Sequence, residues 1–410
     1  MCHGNELDRP QVAFGYASRN ITIAPRDFVV FRLAGLLHDI GHYPFSHAME
    51  HAIRSYCNAS IVEGGPPLKP LKHEAVSKRV LDQDANIRAL LIDNGIEPTE
   101  VSNIFNREAP CRFANLVSSD LDADRIDYLM RSAHHTGLPY GAIDLPYLLS
   151  QMGVDRDEQI CLTAKALRTA EHLLLGRFFD YQQVVYHKTV VSMEWLLNCV
   201  LIYLLKNGRL EGEADQIETK ISNGTWERYD DTYVHEKIRE LAIEDGSDEI
   251  HAKARAIIQR KPPKLIGDVE YIDARGEESK DAFLGRLQAL NEKIEVWADH
   301  YKIPASYWNV WSAQMSITKV GTFVPASEGC TASSPDRAHN AESFEQAVRI
   351  RNGEGGSVSI MEHKSSLMKV LSNQTLYSIR VYVLRPEDRP VDFDEMRQRV
   401  KGDFRYMPWK

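Results

Sequence analysis

Along this chain apolar positions recur mostly with the period of a helix. "PRDFVVFRLAGLLH" at 25–38 puts a proline in a first turn and then apolar residues dense enough for an almost fully buried helix, with Gly41 as its C-cap. "HYPFSHAMEHAIRSYC" then reads as a short polar turn entering a second helix, on which His47, Glu50 and His51 share a face. "EGGPPLKP" at 63–70 is a loop by composition, and "HEAVSKRVLDQDANIRALLIDNGI" resumes the helical period with His73 at its start. Amphipathic stretches follow at about 124–135, 165–205 and 234–260, and "KPPK" at 261–264 breaks the pattern.

Beyond that break the period changes to two. "SAQMSITKVGTFV" and "LYSIRVYVL" carry the alternation and β-branched content of strands, and "ASEGCTASSPDRAHNAE" between them reads as an exposed loop. No internal repeat or heptad run is present. The expected fold is mainly α-helical: a helical domain over 1–205, a helical extension over 206–300 and a small α+β region over 301–410.

Composition narrows the function classes. The 410 residues are 43% hydrophobic, enough for a large core. A formal net charge of -9 argues against nucleic-acid or anionic-membrane binding over the whole surface, leaving only a local basic pocket. The six cysteines show no CxxC spacing, so neither a disulfide framework nor a thiolate zinc site is expected, and a reducing cytoplasm fits. "MCHGNELDRP" lacks the features of a secretory signal, and "WLLNCVLIYLL" at 195–205 is too short to cross a bilayer and reads as a core helix.

The candidate chemistry lies in two stretches. "LLHDIGHYPFSHAMEH" at 36–51 packs four histidines and two carboxylates into sixteen positions. Neighbours on a regular helix point about 100° apart, so His38 and Asp39 are either a satisfied helix-end pair or two ligands converging on one cation at the helix end. "SSDLDADRIDYLMRSAHH" at 118–135 holds Asp120, Asp122, Asp124 and Asp127 around Arg125. Capping, a solvated acidic face and a plain ion pair would explain it.

Taken together, "HDIGHYPFSHAME" and "DLDADRIDYLMR" resemble the HD superfamily of metal-dependent phosphohydrolases, most closely its SAM-and-HD-domain deoxynucleoside triphosphate triphosphohydrolases and their bacterial relatives. The resemblance continues through "KHEAVSKRVL" at 72–81 and "GRFFDYQQVVYHKT" at 176–189, and more faintly through 360–384. It implies that His38, Asp39 and Asp124 are ligands of a divalent metal ion (Mn, Fe, Mg, Ni and Zn not being distinguished), and that His42, His47, Glu50 and His73 line the reacting phosphate. His47 is the expected proton donor. Arg125, Arg177, His187 and Lys188 are the expected cationic partners of a triphosphate, and Tyr128 is expected at the sugar. The implied reaction turns a dNTP into deoxynucleoside and tripolyphosphate, in a homodimer or tetramer.

Two departures from the family pattern stand out. The family's additional histidine, on a helix before the doublet, has no counterpart stretch here, so either the chain is shortened at its start or His3 substitutes; shortening is the expectation, since a ligand is costly to hold in a terminus. Ser132 stands where many relatives carry an aspartate that contacts the sugar. The incomplete ligand set keeps open a nucleotide-binding or regulatory scaffold without turnover. A more remote alternative is a zinc peptidase, because His47, Glu50 and His51 satisfy H-x-x-E-H.

Overall fold

The computed structural model describes residues 24–62, 70–106, 114–117, 119–157, 159–244, 246, 249–316 and 347–410. The loop expected at 326–342, most of the 63–70 loop, and His3 lie outside the described residues. In chain order the helices are α1 (Pro25–Leu37), α2 (His47–Val62), α3 (His73–Gln83), α4 (Ala85–Asp93), α5 (Pro98–Asn106), α6 (Ala123–Thr136), α7 (Leu145–Ser150) and α8 (Leu167–Asp180). They continue as α9 (Lys188–Lys206), α10 (Ala214–Ser222), α11 (Asp231–Ile243), α12 (Glu249–Ile258), α13 (Glu277–Tyr301), α14 (Met368–Leu371) and α15 (Phe393–Asp403). The strands are β1 (Met152–Val154), β2 (Ile160–Leu162), β3 (Lys264–Ala274), β4 (Trp308–Ser316), β5 (Arg349–Arg351), β6 (Ser357–Ser359) and β7 (Gln374–Val383). The fold is mainly helical with small sheets.

The chain divides into two units, each built from three discontinuous segments. One comprises residues up to Leu37, Glu100–Val184 and Met315–Thr375. Its core gathers Leu129 of α6, Leu148 of α7, Leu173 and Leu174 of α8, and Ile350 and Ile360. A sheet in the order β1-β2-β5-β6 joins it, β2 and β5 running parallel with Leu162 opposite Ile350. Of α1, only Val30 and Ala34 are buried, one turn apart, while Leu36 is 74% exposed. The expectation of an almost fully buried helix is therefore corrected: among the described residues α1 packs along one stripe.

The other unit comprises His38–Thr99, Val185–Gln314 and Leu376–Lys410. Here α2 and α3 pack with α9 to α12 around Met49, Ile53, Val76, Val80, Val200, Leu201, Leu204, Ile217 and Ile238. A second core lies between the sheet β3-β7-β4 and helices α13 and α15, where Trp297 is fully buried and its Nε1 donates to Asp403 Oδ2 at 2.8 Å. The stretch expected to run as helix over 165–205 is broken by a π-helical turn at Tyr181–Val185, after which His187 caps α9. At 19 residues α9 is long and apolar enough to cross a membrane by length and composition, yet Leu196, Val200, Leu201, Leu204 and Leu205 on it are buried in this unit, as expected of a core helix.

Candidate metal and phosphate site

The histidine-rich stretch owes its shape to its backbone partners. After α1 ends at Leu37 the chain turns through His38–Ser46 before α2 begins at His47. Ser77, one turn into α3, donates its hydroxyl to the His38 carbonyl at 2.5 Å and accepts from the Gly41 N–H at 2.9 Å. A Cβ on Gly41 would lie 2.2 Å from the Ser77 nitrogen and 2.5 Å from the His73 carbonyl oxygen, so only glycine fits where these backbones meet. Gly41 is not among the residues with positive φ. Because α1 already ends at Leu37, the expected role of Gly41 as the C-cap of that helix is corrected to one of close approach.

This close approach brings α3's first residue onto the loop, and the imidazoles gather around Asp39. Its Oδ1 lies 3.3 Å from His38 Nε2, 3.4 Å from His42 Nε2 and 3.8 Å from His73 Nε2. Behind them Glu50 is buried and fully engaged. Its Oε1 accepts from the His73 N–H at 2.8 Å and lies 3.1 Å from His73 Nδ1, and its Oε2 lies 3.1 Å from His47 Nδ1. His42 Nδ1 lies 3.1 Å from the Ser46 hydroxyl. The Nδ1 atoms of His42, His47 and His73 thus each have a partner, which fixes ring orientation and leaves their Nε2 atoms to the site. The His42 and His73 rings stack with centroids 4.0 Å apart, and His47 stands edge-on to both.

The electrostatics follow from this packing. Burial works against the Asp39 charge, but the His42 hydrogen bond and the imidazoles of His38, His42 and His73 outweigh it and hold the carboxyl below its ordinary range. Burial opposes ionisation of Glu50 too, and hydrogen bonds from His47 and His73 override it, pulling that carboxyl well down. For His73 burial disfavours the cation, and Glu50, Glu74 and Asp39 raise its pKa nonetheless.

A divalent metal fits this donor set. Imidazole nitrogen and carboxylate oxygen suit borderline divalent cations, and His42, His47 and His73 present ligand atoms within 4.8 Å of one another. His51, exposed on α2, is not part of that group. The H-x-x-E-H reading would also need Glu50 as a free base, whereas both of its oxygens are committed to imidazoles.

The remaining candidates occupy other settings. Asp122 caps α6, accepting from the Arg125 and Ser119 N–H groups at 2.7 and 2.8 Å. Asp120 is 2% exposed, with its Oδ1 3.2 Å from Arg177 Nη1 and 3.8 Å from Arg125 Nη1. Asp124 lies in the first turn of α6, and Tyr128 one turn later packs against the first unit's core, where burial raises its hydroxyl pKa. Asp127 pairs with Arg131 on the exposed face at 2.7 Å. Ser132 donates to Asp180 Oδ1 at 2.5 Å, so a carboxylate stands behind the residue that departs from the family pattern. His187 accepts from the Thr189 N–H at 3.3 Å, and Lys188, the first residue of α9, is exposed. The candidates therefore divide: His38, Asp39, His42, His47, Glu50, His73, His187 and Lys188 belong to one unit, and Asp124, Arg125, Tyr128 and Arg177 to the other. Sequence reasoning missed Ser46 and Ser77. The spacing of four from His42 to Ser46 and from His73 to Ser77 was the available signal.

Comparison with known proteins points the same way. Residues 15–105 match the family model for the HD domain. A segment of 171 residues is 30% identical to the uncharacterized protein YwfO of Bacillus subtilis, covering 41% of this chain and 35% of that one. Another, of 207 residues, is 28% identical to a deoxynucleoside triphosphate triphosphohydrolase SAMHD1 homolog of Dictyostelium discoideum, covering 47% and 36%. The matches thus span well under half the length of these relatives. A phosphohydrolase from Bacteroides thetaiotaomicron superposes with a TM-score of 0.59 over 90% of this chain and 82% of its own, at 21% identity. A hypothetical protein from Aquifex aeolicus gives 0.61 over 92% and 80%, at 20% identity. These two likenesses show the shared fold. The His-Asp doublet and the imidazole cluster fall inside the matched segment, so residues 15–105 are similar to the HD domain.

Proposed function

We propose that this protein hydrolyses nucleotide phosphate esters with the help of a divalent cation, its substrate being a deoxynucleoside triphosphate released as deoxynucleoside and tripolyphosphate. The observation that carries the reading is the set of His38, His42 and His73 Nε2 atoms around Asp39, backed by Glu50, which orients His73 and the neighbouring His47. In this reading His38, Asp39 and Asp124 hold the cation. When bound, it polarises the phosphoryl oxygens and lowers the pKa of water.

The chain's own residues supply the rest. His42 and His73 donate to the phosphoryl oxygens, and His73 is suited to this because its neighbours favour the cation. His47, oriented through Nδ1 by Glu50, gives a proton to the sugar oxygen as its bond to phosphorus breaks and the oxygen of water bonds to that phosphorus. Arg125, Arg177, His187 and Lys188 offset the triphosphate's negative charge, and Tyr128 packs at the sugar. The protein works as a homodimer or tetramer in the cytoplasm, a setting that suits the free thiols of Cys57, Cys161 and Cys199.

The test is to strip the protein with a chelator, restore Mn, Fe, Mg, Ni or Zn singly, and separate the products formed from a nucleotide panel. Deoxynucleoside and tripolyphosphate in equal amounts are expected, with His51→Ala retaining the activity; sedimentation checks the assembly. A nucleoside mono- or diphosphate product would overturn the substrate assignment. A second reading is a nucleotide-binding or regulatory scaffold of the same fold, in which nucleotide binds without turnover. Binding with no product under any metal would establish it.

A further inference from the structure

We infer that Asp231, assisted by Trp226, is a positioning residue that clamps the histidine loop from the helical extension; its effect on turnover rests on the function proposed above. The loop contains two consecutive non-glycine residues in the left-handed region, Phe45 at φ 56° and Ser46 at φ 53°. L side chains disfavour this conformation, so surrounding contacts must hold it. One local bond helps, from the Ser46 N–H to the Tyr43 carbonyl at 2.7 Å. The decisive contact comes from far along the chain: the Phe45 N–H donates to Asp231 Oδ1 at 2.7 Å.

Asp231 is free to do this because another residue caps its helix. Asp230 is the N-cap of α11, accepting from the Tyr233 N–H at 2.8 Å, which leaves the Asp231 carboxylate to reach outside its own helix. Trp226, five residues earlier, makes a second hold: its Nε1 donates to the Ile40 carbonyl at 3.2 Å and its ring meets Tyr43 edge-on at 5.9 Å. Together these bonds satisfy backbone groups on both sides of His42. The turn they hold presents the Ser46 hydroxyl to His42 Nδ1 and sets the first residue of α2, His47. Without the clamp, Phe45 relaxes toward negative φ, Ser46 leaves His42, and the start of α2 shifts.

The test compares Asp231→Ala, Asp231→Asn and Asp230→Ala. Asp231→Ala should lower kcat by about 100-fold with KM within about twofold, the loss expected when reacting groups move by about 1 Å. Asp231→Asn should retain most activity, because its carbonyl accepts the same N–H. Asp230→Ala should lower the melting temperature through the lost cap and leave kcat unchanged. Imidazole 15N shifts give a readout independent of turnover: His42 should report one tautomer in the parent protein and in Asp231→Asn, and averaged shifts in Asp231→Ala. If the parent hydrolyses no nucleotide, the proposed function fails while these shifts still decide the clamp. Unchanged His42 shifts in a folded Asp231→Ala protein, or the same loss from Asp230→Ala, would overturn the inference.

Discussion

The imidazole cluster around Asp39 and the ionic cluster around Asp120 both gather opposite charges, but they are built for different ends. Around Asp120 the guanidinium groups of Arg125 and Arg177 meet a carboxylate that is almost fully buried, and Asp122 closes the network as a helix cap. Around Asp39 the rings of His42 and His73 are oriented from behind, through Nδ1, and their Nε2 atoms, with that of His38, face a carboxylate whose side chain is 43% exposed. Removing one member of a buried ion pair leaves the other's charge uncompensated. Half-exposed groups fixed on one side only keep capacity for a ligand on the other.

Substitutions should separate the two clusters in order of effect. Asp39→Ala should lower turnover by about 10³-fold, several kcal/mol of transition-state stabilisation, while leaving the melting temperature close to that of the parent. Asp120→Ala should act on stability: it strands buried guanidinium charge, costing about 3 kcal/mol in chemical denaturation. An equal loss of stability in both variants would erase the distinction.

Glu50→Gln comes next, with turnover expected to fall about 10- to 100-fold as the rings lose their orienting carboxylate. The same variant tests pH dependence. Because the folded-state pKa of Glu50 is depressed, its stabilising contribution is present above the ordinary glutamate value of about 4.3 and is lost as pH falls through the folded value. Acid unfolding of Glu50→Gln should therefore be shallower below about pH 4 than that of the parent; superimposable acid limbs would show that the His47 and His73 contacts do not stabilise the Glu50 anion. The smallest effect is expected from Asp122→Ala, about 1 kcal/mol for a lost cap, read as a modest shift in melting temperature.

Much of this was legible in the sequence because it rests on local chemistry. Proline at the start of α1, the spacing of His47 and Glu50, and His73 opening α3 are all decided within a few residues. Asp84 was not recognised as the cap that divides α3 from α4, although its side chain accepts from two N–H groups. The strand β3 follows directly on the "KPPK" break and was hidden in an expected helical extension; its alternation only acquires meaning beside β7. The pairing of Ser77 with the His38 carbonyl depends on how two helices meet. No pattern in the sequence links Phe45 to Asp231, since the bond joins positions 186 residues apart.

Gly41 carries one more consequence. Because the loop and α3 touch backbone to backbone there and the Ser77 hydroxyl bridges the His38 carbonyl and the Gly41 N–H, parting them would break both contacts. Admission of a bulky ligand must therefore come from motion elsewhere, with the segment bearing His38 to His42 and the one bearing His73 travelling as a single rigid piece.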